Sequence, residues 1–185
     1  MTNVAHNYTV ARQGVVMLKH LFLIDKPIQR VSVFLIAAFM VLSIDQLSKF
    51  IIEIKIVYGS GITITSFFNL VHLKNEGAAF SFLSEAGGWQ RYFFVSIAFV
   101  VSCWLIWSLI QKPHRKEAIG YALILGGALA NMTDRILRGA VVDFLDIHWQ
   151  GMHWPAFNFA DMSIVIGVCF MLWSGIQKDS AQNSR

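Results

Sequence analysis

The sequence predicts a mainly α-helical integral membrane protein built on four spanning helices. Three observations carry this. Of 185 residues, 56% are hydrophobic and 14% charged, against about 45–50% and about 25% in soluble domains. Mean hydropathy is +0.56. The apolar residues gather into four long uncharged runs with polar connections between them. Such a chain is neither disordered nor collagen-like, nor an ordinary soluble enzyme, and its length fits one main domain. Cys103 and Cys169 lie in apolar runs without a CxxC, which gives no disulfide framework.

The clearest span is 92–111, with 20 uncharged residues, enough for a hydrocarbon layer of about 30 Å. Runs 31–44, 118–133 and 162–177 hold 14, 16 and 16 residues. At the helical rise these reach about 21, 24 and 24 Å. Each needs a further turn, and each is bounded by an aspartate: Asp45, Asp134 or Asp161. These carboxylates are expected at the membrane boundary, with Asp45 and Asp134 ending outward-going helices and Asp161 beginning an inward-going one.

Charge sets the orientation. Four spans put both termini on one side, which then holds 9 Lys/Arg against Asp25, Glu117 and Asp179, net +6. The other side holds 6 Lys/Arg and 8 acids, net −2. The positive-inside rule places both termini in the cytoplasm and residues 51–90 and 136–157 outside. The net charge of +4 therefore suggests membrane anchoring and no nucleic acid.

The organisation follows. Residues 1–27 form a cytoplasmic extension, read as a surface helix or loose tail; Lys19 and His20 interrupt its apolar run and argue against a cleaved signal peptide. Residues 28–177 form the membrane domain, and 178–185 a polar cytoplasmic tail. In the first outer connection, Gly59-Ser60-Gly61 signals a turn. The alternating stretch 62–68 reads as a strand, and 67–73 could continue a small sheet. Residues 77–80 are small enough to pack against a helix end or a substrate backbone. Trp89, Trp149 and Trp154 fit an interfacial belt.

Charge at membrane depth is costly, so the aspartates are the candidate chemistry. A lone terminal Asp more often just ends a helix; several at one level change the weighing. Asp45 shares a helix face with Lys49 at i+4 and is expected to pair with it. Asp134, next to Arg135 and three after Asn131, reads as part of a local polar network. Asp143 and Asp161 have no basic residue within four positions and sit among apolar neighbours, a setting that raises a carboxyl pKa. Two such groups brought together can share a proton and activate water. Rival chemistries are weaker. His148 and His153 lack a G-x-S-x-G turn for serine catalysis, and with Asp146 they lack H-E-x-x-H spacing for zinc. A small transporter or channel is the main reading from another class, but the inner halves of the spans carry no ionisable side chain. The missing CxxC argues against a thiol oxidoreductase.

Five blocks occur in order: Asp45-Gln46-x-x-Lys49; Asn75-x-Gly77-Ala78-Ala79-Phe80-Ser81; Gly126-Gly127-Ala128-x-x-Asn131-x-x-Asp134-Arg135; Gly139-x-Val141-Val142-Asp143-Phe144; and Pro155-Ala156-Phe157-Asn158-x-Ala160-Asp161. Together they resemble bacterial lipoprotein signal peptidase, signal peptidase II, over about residues 30–177. The resemblance implies an aspartyl endopeptidase of the bacterial inner membrane. It would remove signal peptides from diacylglyceryl-modified prolipoproteins just before the lipid-bearing cysteine. The implied catalytic pair is Asp143 and Asp161. The implied substrate-binding or site-supporting residues are Asp45, Lys49, Asn75, Gly77, Gly127, Asn131, Arg135, Asn158 and Ala160. No metal or cofactor is implied. The implied partners are prolipoproteins, membrane lipid and a globomycin-type inhibitor, with the enzyme a monomer. An outer β-cradle would come from the first outer loop and a short surface helix from the second. The chain departs from the family pattern in its longer N-terminal extension, at Ala130 where glycine is common, and at Met162 where a small residue is common.

Overall fold

The structure, a computed structural model, describes residues 27–77 and 87–183. The chain runs α1 (Pro27–Lys55), β1 (Gly61–Thr65), β2 (Phe68–Asn75), α2 (Trp89–Ile110), α3 (Arg115–Arg138), β3 (Val141–Trp149), β4 (Met152–His153) and α4 (Phe159–Asn183). The extension 1–26 and most of the small-residue stretch expected at 77–80 lie outside the described residues. The backbone of α4 continues into the polar segment after residue 177.

Helix α3 packs against α1, α2 and α4, and this central place explains its composition. Gly120, Ala122, Gly126, Gly127 and Ala130 give it a thin waist, and its polar Asn131 and Asp134 are buried. The outer helices instead turn Phe39, Leu47, Val100, Trp107, Val165 and Leu172 outward, as lipid-facing surfaces do. Cys103 and Cys169 share those exposed faces as free thiols. Three helical segments, Val31–Lys55, Trp89–Ile110 and Phe159–Gln177, are long and apolar enough to cross a membrane. Helix α3 is not among them, because its charged residues and glycines make it less apolar than the other three.

Ala38, Leu105, Leu109, Ala118, Tyr121, Ile124 and Leu125 form the core where α1, α2 and α3 meet. A second cluster of Ile52, Ile56, Val142, Phe144 and Leu145 joins the end of α1 to β3. The four strands form a single antiparallel sheet in the order β1-β2-β3-β4.

Three expectations need correction. Asp45 does not end a helix: α1 continues to Lys55. Pairing with Lys49 at 2.7 Å removes the lone charge that would have stopped it. Nor does the second outer connection hold a surface helix. Gly139, at φ 83°, ends α3 in the left-handed conformation that glycine adopts freely, and the chain turns into β3. The apolar run Val141, Val142, Phe144, Leu145 fills both faces of a buried strand, where a surface helix would need a polar face. A tight turn with positive φ at Gln150 and Gly151 then returns it as β4. Asp134 is also bonded differently from the sequence reading, as described below.

Candidate active site

Asp143 and Asp161 come from different elements and meet through Asn158. Asp143 lies on β3, opposite Leu73 of β2. The chain leaves the β3–β4 hairpin and returns alongside β3: Phe157 N–H donates to Leu145 O at 3.1 Å, and Leu145 N–H donates to Phe157 O at 2.8 Å. This reciprocal pair brings residue 158 beside residue 143. Asn158 then starts α4. Its Oδ1 accepts the Asp161 N–H at 2.9 Å, and its own N–H donates to Asp161 Oδ2 at 3.2 Å. That is a reciprocal capping box, with the acid three residues after the cap. The Asn158 Nδ2 donates to Asp143 Oδ1 at 2.7 Å. One asparagine therefore touches both carboxyl groups.

Each carboxyl has a second amide partner. Asn75 is two residues along β2 from Leu73, so its side chain shares the face of Asp143, and its Nδ2 donates to Asp143 Oδ2 at 3.0 Å. Asn131 Nδ2 donates to Asp161 Oδ1 at 2.8 Å. Asn75 Oδ1 accepts the Gly77 N–H at 3.1 Å, while Gly77 O accepts from Arg135 Nη2 at 2.7 Å. Arg135 also lies over the Phe94 ring. Thus β2, its following turn and α3 hold the pair from one side.

Helix α1 holds it from the other. Lys49 is fully buried; its Nζ donates to Asn131 Oδ1 at 3.0 Å and forms ion pairs with Asp45 Oδ2 and Asp134 Oδ2, each at 2.7 Å. Asp45 Oδ1 accepts the Ala160 N–H at 2.8 Å, so a carboxylate of α1 also caps the first turn of α4. Gly127 permits the approach of α3 to that turn. A Cβ at this position would lie 2.5 Å from Ala160 O and 2.6 Å from Ser163 Oγ.

Burial and the neighbouring Asp161 charge push the Asp143 carboxyl up to about 7, against the lowering effect of the Asn75 and Asn158 amides and of Lys49. The apolar sequence setting thus acts as expected on Asp143. The cations missing from its own segment are supplied by α1 and α3.

All eleven residues singled out in the sequence fall within this one assembly. Asp134 belongs to it too, but with other partners than expected. Its carboxylate accepts from Lys49, from Arg138 at 2.8 Å, from Gln46 at 2.7 Å and from the Val142 N–H at 3.2 Å. Arg138 stands one helical turn further on the same face, whereas adjacent Arg135 points about 100° round the helix. Gln46, quoted in the first block without a role, and Glu53 and Arg138, not singled out at all, complete the network. The i,i+4 spacing of Asp134 and Arg138 was the available signal. The departure at Ala130 leaves a fully buried residue whose carbonyl accepts from Gln46 at 3.1 Å.

Asp146, His148 and His153 gather apart from this centre. Burial pushes the Asp146 carboxyl up, but the Asn69 amide and His153 outweigh it and hold it below the usual carboxylate range. His153 Nδ1 lies 2.8 Å from Asp146 Oδ1, and the two imidazoles stack at 5.0 Å. Among the described residues no group of three His, Cys, Asp or Glu side chains is arranged to hold a metal ion.

Comparison with known proteins decides the family. Residues 37–177 match the family described as signal peptidase (SPase) II. The chain belongs to the signal peptidase II family. It is 50% identical over 132 residues to the lipoprotein signal peptidase of Serratia marcescens, covering 71% of this chain and 78% of that one. Over 144 residues it is 46% identical to the lipoprotein signal peptidase of Aeromonas hydrophila, covering 76% and 86%. Among solved structures, a bacterial membrane enzyme determined by the in meso method at 2.3 Å resolution superposes with a TM-score of 0.73. The two are 30% identical, and the match covers 81% of this chain and 91% of that chain.

Proposed function

We propose that the protein is an aspartyl endopeptidase that cleaves diacylglyceryl-modified prolipoproteins immediately before the lipid-bearing cysteine, with Asp143 and Asp161 as its catalytic pair. The observation that carries this reading is the shared contact of both carboxyl groups with Asn158. Two carboxyls held together at a buried site share one proton, because both cannot ionise cheaply. The ionised member takes a proton from a water whose oxygen attacks the scissile carbonyl. The protonated member donates to the carbonyl oxygen as charge develops there. When the tetrahedral intermediate collapses, the protonated carboxyl gives its proton to the leaving nitrogen while the ionised one takes a proton from a hydroxyl of the intermediate, so the pair ends singly protonated as it began. The two pKa values belong to the pair, so neither residue is assigned the proton.

Asn75 and Gly77 flank the extended substrate. Each amide side chain has two N–H groups and two lone pairs, so Asn75 keeps one of each for a peptide backbone beyond its bonds to Asp143 and Gly77. A globomycin-type cyclic lipopeptide would occupy this groove. The α3 helix counts as a fourth span shielded by the other three. Both termini are cytoplasmic and the aspartates face outward at the bacterial inner membrane, a topology supported by the charge asymmetry. The enzyme acts as a monomer.

The test is incubation of the purified protein with a diacylglyceryl-prolipoprotein peptide, with the cleaved bond read by mass. Cleavage before the modified cysteine is expected. Asp143→Asn and Asp161→Asn should each abolish it while retaining inhibitor binding. Turnover by either variant with a wild-type melting curve would overturn the assignment.

A further inference from the structure

Asp134 makes no direct contact with either carboxyl of the proposed pair, yet its Oδ2 holds the backbone N–H of Val142, the residue before Asp143. Whatever fixes the Asp134 carboxylate therefore fixes the start of the strand that carries Asp143. Its Oδ1 is fixed by Arg138 Nη1 at 2.8 Å and Gln46 Nε2 at 2.7 Å. The same Arg138 Nη1 donates to Gln46 Oε1 at 2.9 Å, and Arg138 Nε donates to Glu53 Oε2 at 3.0 Å. One guanidinium thus joins two residues of α1 to the carboxylate of α3 in a fixed fork, which an ammonium cannot reproduce.

Charge points the same way. At the buried centre, Asp45 and Asp134 carry two negative charges and Lys49 one positive charge; their side chains are fully buried. Arg138 supplies the second positive charge, and its side chain is only 19% exposed. Arg138 also pairs with Glu53, so the cluster sets three carboxylates against Lys49 and Arg138, and losing Arg138 leaves its excess negative charge larger by one. The groups that face Asp143 are Asp161 of α4, Lys49 of α1, Arg135 of α3, Asn75 of β2 and Asn158. Of the two cations in that set, Lys49 is the one that shares Asp134 with Arg138.

We propose that Arg138 is a positioning residue for the reaction: through Asp134, and braced by Gln46 and Glu53, it holds the Val142–Asp143 backbone in place and offsets the negative charge of the buried cluster next to the catalytic pair. This rests on the Asp143/Asp161 reading above. Residues set against the substrate, Asn75 and Gly77, do not touch Arg138, so its effect falls on turnover and not on substrate affinity.

The experiment uses the full-length protein in lipid-supplemented detergent with a diacylglyceryl-prolipoprotein peptide, across pH. Arg138→Gln is expected to lower kcat at least tenfold with KM within threefold. Its acid limb should move to higher pH, because added negative charge holds the proton on the pair more tightly. Arg138→Lys restores the charge and returns the acid limb to the wild-type position, with intermediate kcat because the fork is lost. A kcat within threefold of wild type for Arg138→Gln overturns the proposal. So does a loss of activity with an unmoved acid limb, which a merely structural role would give. If Arg138→Gln does not fold, Gln46→Leu removes one bond to Asp134 without changing charge; its kcat should fall at unchanged KM, and wild-type kcat overturns the proposal. Asp143→Asn is assayed alongside. Cleavage by that variant would sink the catalytic-pair reading itself, whereas an inactive Asp143→Asn beside a fully active Arg138→Gln sinks only the role of Arg138.

Discussion

Asn158 performs two tasks that a pair of substitutions separates. Its Oδ1 caps α4 by accepting the Asp161 N–H at 2.9 Å, and its Nδ2 donates to Asp143 at 2.7 Å. Asn158→Ala loses both. A cap is worth about 1 kcal/mol and a hydrogen bond to a charged group about 1.5–3 kcal/mol, so stability and turnover should fall together. Asn158→Asp keeps an acceptor at the cap, where Asp and Asn serve about equally well. It replaces the donor with a third carboxyl beside Asp143. The donor's loss alone corresponds to about 10- to 150-fold in rate at about 1.4 kcal/mol per factor of ten, and the repulsion adds to it. The expected result for Asn158→Asp is turnover at least 100-fold lower, with a melting temperature lowered by the lost donor and the added charge and not by loss of the cap. Thermal melting and a mass-resolved cleavage assay on the same preparation measure both. If Asn158→Asp cleaved within tenfold of wild type, Asn158 would not be orienting Asp143 and the bridging role would be wrong.

Three further outcomes are expected. The Asp143 carboxyl is raised from 3.8 to about 7 in the folded protein, so folding favours its protonated form. Its contribution to stability is full below about pH 4 and is lost as pH rises towards 7, at up to about 1.4 kcal/mol per pH unit. Asp143→Asn should accordingly gain in melting temperature relative to wild type between pH 5 and 8, and a constant difference across that window would refute the coupling. Gly127→Ala forces a methyl to within 2.5 Å of Ala160 O; overpacking of this kind costs about 1–3 kcal/mol and should shift the first turn of α4, lowering both melting temperature and turnover, whereas an unaffected enzyme would deny the close packing a role. Asn75→Ala should weaken both cleavage and globomycin-type inhibition, and the groove assignment fails if competition binding and turnover are unchanged.

The aspartates were legible because a carboxyl in an apolar run is costly, and cost marks a site. Asp45 and Lys49 were legible as a pair because helical spacing places i and i+4 together, and they lie 2.7 Å apart. The spacing of Asn158 and Asp161 also fits a helix cap, a signal unused in the sequence reading and revealed by the structure. The first outer loop announced its strands through a turn and alternation. The second did not: 141–145 is an unbroken apolar run with one aspartate, and such a run reads equally well as strand or helix.

By itself, the sequence determined the composition that demands lipid-facing helices and the local pairs within one helix or turn. Those depend on spacing of a few positions, which the backbone period translates directly into geometry. Only the tertiary structure decided which polar groups meet across long separations. Asn75 reaches Asp143, Gln46 reaches Asp134, and Glu53 reaches Arg138 because strand pairing and helix packing bring separate elements together. The structure likewise decided that α3 is the inner helix. Its glycines let the neighbours close around it, and the buried Lys49 and Asp134 charges are tolerated there because each finds a full set of partners.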